Sequence, residues 1–134
     1  MYFETKEESA MKISSGLKTL FLVHFIFGLV FGLGNLLIPA MNMGWFGIQV
    51  QDQFPWRIVG AAILAFTVSS WYCYKAAEWD KVKIVVLAEI VWTSLVALVG
   101  LYGLLFAGQP AGFWVNVIIM AGFAVAFTYF YIKK

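Results

Sequence analysis

The chain has very little charge. Only 12% of its 134 residues are Asp, Glu, Lys or Arg and its mean hydropathy is +0.87, whereas a soluble domain is about 25% charged. So little polar surface cannot coat a particle in water, so lipid must solvate much of the chain. Cys73 is the single cysteine, which excludes an intrachain disulfide and any Cys-x-x-Cys metal or redox motif. His24 is the single histidine, so haem ligation would require a second ligand from another chain or from a methionine. The net charge of +2 and the lack of a basic stripe exclude an electrostatic nucleic-acid partner. No HExxH, P-loop, GxSxG or paired-acid motif occurs, so no catalytic residue, metal or cofactor is assigned. Glu4, Glu7 and Glu8 precede the first apolar run, which does not fit a secretory signal.

What the chain has is four long apolar runs. Residues 1–16 read as a polar cytoplasmic leader. Within it Thr5 and Glu8 have the spacing of a capping box, and Met11, Ile13 and Leu17 suit a membrane surface; the alternative is a solvated, frayed terminus. Residues 17–134 read as a single transmembrane domain with spans at about 17–39, 55–74, 84–106 and 112–132. At 1.5 Å of rise per residue, runs of this length cover a hydrocarbon core of roughly 30 Å. The expected fold is all-α, an up-down-up-down four-helix bundle.

Pro39 closes the first run, Pro55 opens the second at a first-turn position, and Pro110 lies in a short turn, Ala107–Ala111, between the third and fourth. Residues 40–53 read as a loop with Trp45 and Phe46 beside glycines, a composition suited to the headgroup layer. Met41 and Met43 in this loop read as an apolar cover on the bundle rather than thioether ligands. Lys6, Lys12, Lys18, Lys75, Lys81, Lys83, Lys133 and Lys134 would share one side of the membrane, with Arg57 alone on the other. This asymmetry predicts that both termini are cytoplasmic.

Two titratable residues lie inside these spans, His24 in the first and Glu89 in the third. A buried intramembrane carboxyl group is costly and faces protein or water rather than lipid. His24, Gly28, Gly32 and Asn35 share a helical face, as do Glu89, Thr93, Val96, Gly100 and Gly103. If the first and third helices run parallel, His24 and Glu89 sit at similar depth. The two faces are then expected to pack together, with Gly28 near Thr93 and Gly32 near Val96. Ser69 or Ser70 and Thr128 fall at the same level. The expectation is a polar layer of His24, Glu89, Thr93, Ser69 and Thr128, read either as a ligand or proton site or as an internal hydrogen bond joining helices. Gly28, Gly32, Gly100 and Gly103 are expected at helix contacts. A second group, Asn35, Asp52, Arg57, Tyr102 and Asn116, lies toward the outer face; there Arg57 is expected to pair with Asp52, or else to hold a lipid phosphate or an anionic ligand.

A small-residue first helix ending at Pro39, the opening Arg57-Ile58-Val59-Gly60-Ala61, the charged hairpin Lys75–Lys83 and two further spans resemble the DoxX-like group of small four-helix membrane proteins, over residues 17–132. The resemblance implies the same bundle. Some members of that group are membrane subunits associated with quinone-linked sulfur oxidation, and no residue set here carries that activity over. The expected role is a non-catalytic accessory subunit or a lipid- or quinone-binding protein of a larger assembly in the cell membrane. The alternative is a proton-coupled transporter or channel-like oligomer centred on Glu89 and His24. Expected partners are membrane lipids and other membrane subunits or further copies of the chain.

Overall fold

Four helices are long and apolar enough to cross a membrane, and the architecture is that of a multi-pass integral membrane protein. The computed structural model describes residues 11–133. The helices are α1 (Ser15–Leu37), the short α2 (Pro39–Gly44), α3 (Phe54–Lys75), α4 (Lys83–Phe106) and α5 (Trp114–Ile132), with 3-10 turns at Trp79–Lys81 and Ala111–Phe113. No strand occurs among the described residues; the one bridge pairs Lys12 with Glu78.

Ser14 starts α1, its hydroxyl accepting from the Leu17 backbone N–H at 3.2 Å; a serine N-cap satisfies one of the open donors of the first turn. The capping box at Thr5 and Glu8 lies outside the described residues. The end of the leader packs on the bundle. Ile13 donates to the Ala77 carbonyl, Trp79 donates to the Met11 carbonyl at 2.7 Å, and Ile13 and Leu17 are buried. The backbone of the 75–83 hairpin has open donors and acceptors, and the leader satisfies them.

Pro39 both ends one helix and begins another. Ile38 leaves the helical region (φ −136°, ψ 56°), as the residue before a proline does, and Pro39 then occupies the first turn of α2, where its missing N–H costs nothing. The expected loop over residues 40–53 therefore contains a helical turn. That turn buries Asn42, Met43 and Phe46 while leaving Trp45 and Met41 exposed. Met41 and Met43 thus point apart. Gly47 has φ 78°, a left-handed conformation that glycine adopts without penalty.

The four long helices form two tight pairs. α1 packs closely on α3, and α4 on α5, whereas contacts between the pairs are sparse. The difference lies in residue size. Within the first pair, a Cβ on Gly28 would collide with Thr67, one on Gly32 would lie 2.8 Å from Leu64, and one on Gly60 would lie 2.6 Å from the Leu36 nitrogen. Within the second, a Cβ on Gly100 would lie 2.7 Å from Val117. Small residues let helix backbones approach, which is where dispersion gains are made in lipid. The expected packing of the α1 stripe on the α4 stripe is therefore corrected: Gly28 meets Thr67 of α3, not Thr93, and Gly32 meets Ile63 and Leu64, not Val96. Gly103 faces Gln109 of the following turn.

Between the pairs, apart from the contact of His24 with Glu89, rings meet. Phe66 of α3 stacks on Trp92 of α4 (5.2 Å between centroids), Phe21 of α1 meets Phe127 of α5 (5.5 Å), and Phe27 meets Phe123 (5.7 Å). Rings hold the pairs together while keeping their backbones apart.

Candidate ligand cavity and buried polar layer

His24 contacts all three other long helices. Its Nδ1 lies 2.8 Å from Ser70 Oγ on α3, its Nε2 lies 3.2 Å from Glu89 Oε2 on α4, and its ring sits edge-on to Phe123 and Phe127 of α5 at 4.9 and 5.6 Å. Ser70 and Glu89 have no exposed surface. With the hydrogen on Nδ1 the ring donates to Ser70; with the hydrogen on Nε2 it donates toward the carboxyl and accepts from the serine hydroxyl. Glu89 Oε1 has no hydrogen-bond partner, and the Oε2 contact has ion-pair distance without hydrogen-bond geometry.

The rest of the expected layer divides. Thr93 is fully buried beside Glu89 but its hydroxyl donates to the Glu89 backbone carbonyl at 2.6 Å. The serine in the layer is Ser70, not Ser69, whose hydroxyl donates to the Ala65 carbonyl; adjacent residues are about 100° apart on a helix, so only one can face inward. Thr128 likewise donates to the Ala124 carbonyl, and Phe123 and Phe127 occupy the face of α5 that meets the histidine.

The outer group is also partly dispersed. Asn35 is buried and accepts from Asn42 Nδ2 at 2.6 Å. Arg57 does not pair with Asp52. Its guanidinium donates to the Leu36 carbonyl, to the Leu37 carbonyl at 3.4 Å and to Gln53 Oε1 at 3.2 Å. A cation there satisfies the open carbonyls at the C-terminus of α1 and complements its dipole. Asp52 instead accepts from the Phe54 N–H at 3.0 Å, just ahead of α3. Tyr102 is 62% exposed and packs on Phe106. Asn116 faces inward, and its Oδ1 is buried without a partner. Asn42, outside the expected outer group, is fully buried with an unpartnered Oδ1. The signal for it was Pro39, a residue that fits a new first turn as well as an old last one.

A cavity of about 350 Å³ lies between the two helix pairs, within the range of small-molecule sites. His24 marks one end, and Asn35, Asn42 and Asn116 mark the other; Phe27, Phe31, Phe66, Trp92 and Phe123 are among its walls. His24 and Asn35 are eleven residues apart on α1, so the cavity runs roughly 16 Å along the bundle. A second, wider space of about 840 Å³ shares Trp56, Trp92, Val96, Val99 and Phe113 with it and reaches the loops at Gly47–Gln49 and Gly108–Pro110. It adjoins α3 and α4, where the two pairs touch little. The gap left by aromatic spacers is thus both a chamber and a side opening.

Beyond His24 the bundle is closed. Ile13, Leu17, Phe21, Cys73, Trp79, Val82, Val86, Phe123 and Phe127 form one apolar cluster toward the lysine-bearing end. The order Ser70, His24, Glu89 matches that of a hydrolytic triad. Ser70, however, has no exposed surface and is not part of the cavity wall, so no substrate carbonyl reaches its oxygen.

The chain matches no protein-family model, no curated protein and no solved structure.

Proposed function

We propose that this protein binds a lipophilic molecule, a lipid or a quinone, within the membrane, as a non-catalytic subunit of a larger assembly. The observation that carries this reading is the cavity between the helix pairs, apolar along its walls, polar at both ends and adjoining a side opening. A ligand dissolved in the bilayer reaches such a chamber without crossing water. The alternative, a proton pathway through His24 and Glu89, is disfavoured by the apolar cluster that separates the pair from the lysine-bearing end.

In mild detergent, the purified protein is expected to retain a lipophilic species that organic extraction and mass spectrometry identify. Val96 lines both spaces, and Val96→Phe should deplete that species about tenfold, since a misplaced ring costs about 1–3 kcal/mol. Equal retention by parent and variant, or proton flux from the protein alone in liposomes, overturns the reading.

We also propose an up-down-up-down path with both termini in the cytoplasm. The Lys12–Glu78 bridge and the Trp79–Tyr131 ring contact gather the leader, the 75–83 hairpin and the end of α5, and these are the lysine-bearing segments. Reporter fusions at residue 134 and within residues 40–53 should report opposite sides. An external C-terminus would reverse the assignment of both cavity ends.

A further inference from the structure

The cavity is closed at one end and open at the other. At the His24 end the Phe123 ring and the apolar cluster behind it shut the space, and the Phe66–Trp92 stack joins α3 to α4. Both His24 ring nitrogens are engaged, Nδ1 by Ser70 and Nε2 by Glu89, so this end offers a ligand only apolar and ring contacts. Toward the other end Trp56, Val99 and Phe113 line both the cavity and the wider space beside it, and there the two join. No Asp, Glu, Lys or Arg lines either space among the described residues. Arg57, next in the chain to Trp56, spends its guanidinium on the carbonyls that end α1.

Length and volume give the same measure of what fits. A cavity roughly 16 Å long takes about twelve carbons of an extended chain, at about 1.3 Å per carbon for C–C bonds of about 1.5 Å. Its volume of about 350 Å³ holds about a dozen methylene groups, each near the size of a water molecule's share of about 30 Å³. One such chain fills the cavity and leaves no room for a second. We infer that the cavity is a ruler for a single hydrocarbon chain of about twelve carbons, its tip against Phe123 and His24 and its uncharged head in the wider space lined by Gln49, Tyr102 and Gln109. The assignment rests on the lipophilic-ligand reading and adds to it the length, direction and head chemistry of the ligand. A shorter chain leaves a void that forfeits contacts, and a longer one presses on the closed end. A phosphate in the wider space meets no counter-charge.

The test uses the full chain in digitonin, a detergent without an alkyl chain. An equimolar excess of monoacylglycerols with octanoyl, decanoyl, lauroyl, myristoyl and stearoyl chains is added. Unbound lipid is washed away on an affinity column, and the retained chains are quantified by mass spectrometry. Monolauroylglycerol should be enriched about tenfold over the octanoyl and stearoyl members, given the cost of an unfilled or overfilled cavity. Lauroyl lysophosphatidic acid, which adds a phosphate to the same glycerol and chain, should gain nothing over it. Phe123→Leu deepens the closed end and should move the preference toward myristoyl. Met120→Phe, on the cavity wall one turn away, should move it toward decanoyl. A purely structural effect lowers the retention of every length and moves no preference. The profile of the parent alone decides whether a ruler exists, so a variant that fails to fold leaves the test standing. A flat profile, a preference that neither variant moves, or a preference for the phosphate, with Val96→Phe still depleting the native species, overturns the ruler and leaves the lipophilic cavity standing. No retention at any length, together with equal lipid retention in Val96→Phe, overturns both.

Discussion

Gly60→Ala is expected to destabilise the bundle by about 2–3 kcal/mol, the range of an overpacked core, although it adds one methyl group. The added Cβ would sit 2.6 Å from the Leu36 nitrogen, 2.9 Å from the Gly32 oxygen and 3.0 Å from the Asn35 carbonyl carbon. All three are backbone atoms of α1, and no rotamer change can move them. Relief requires α3 to withdraw from α1, which opens the contacts at Gly28 and Gly32 and pulls Ser70 from His24. The control is Gly122→Ala on α5, where a Cβ meets nothing within 4 Å. That substitution should be neutral or stabilising by up to about 1 kcal/mol, since alanine is the better helix former. Unfolding titrations in mixed micelles measure both. Similar stability of the two variants would show that α1 and α3 do not pack as described.

Removing the carboxyl group of Glu89 is expected to cost about 2–3 kcal/mol when leucine replaces it, and less when glutamine does. Glu89 has no exposed surface, and its Oε2 is the neighbour of His24 Nε2 at 3.2 Å. Glu89→Leu leaves that nitrogen buried beside an apolar side chain, and stranding a buried polar group costs about 1–3 kcal/mol in soluble proteins. Contacts between polar side chains in membranes are weaker on average, about 0.6 kcal/mol, because unfolded helices find other partners in lipid. The larger figure applies here because His24 is held between α3, α4 and α5 in the folded bundle. Glu89→Gln keeps the length, one oxygen and a donor, so it should fold with a loss of about 1 kcal/mol. The ratio of the two losses decides the matter. Equal losses would mean that the side chain matters for its volume alone. Ligand retention adds a second readout: Glu89 is not part of the cavity wall, so Glu89→Gln should keep the bound species, whereas a proton pathway would require it to abolish transport.

The expected polar clusters failed in particular places for one physical reason. Depth places Ser69 and Thr128 with His24 and Glu89, and Tyr102 with Asn35 and Asn116, and depth follows from counting along a span. The direction a side chain faces across the bundle does not. Ser69 and Thr128 satisfy their hydroxyls on carbonyls one turn back, a local option open to any serine or threonine in a helix. Arg57 and Asp52 had opposite charges and near positions, yet each was claimed by a helix end with open backbone groups.

The sequence by itself determined the class of protein and the length of its helices. Low charge and four apolar runs leave no other solvent than lipid, and periodicity at 3.6 residues places His24 with Gly28 and Gly32, and Glu89 with Thr93, whatever the surroundings. Only the tertiary structure decided which face meets which. A glycine-bearing stripe fits any helix that can come close, so its partner is fixed by the shapes opposite it: Thr67, Leu64 and Gly60 of α3 complement α1, and Val117 of α5 complements α4. The aromatic rings left over cannot pack as closely. They hold the two pairs apart, and the cavity exists because of that mismatch in size.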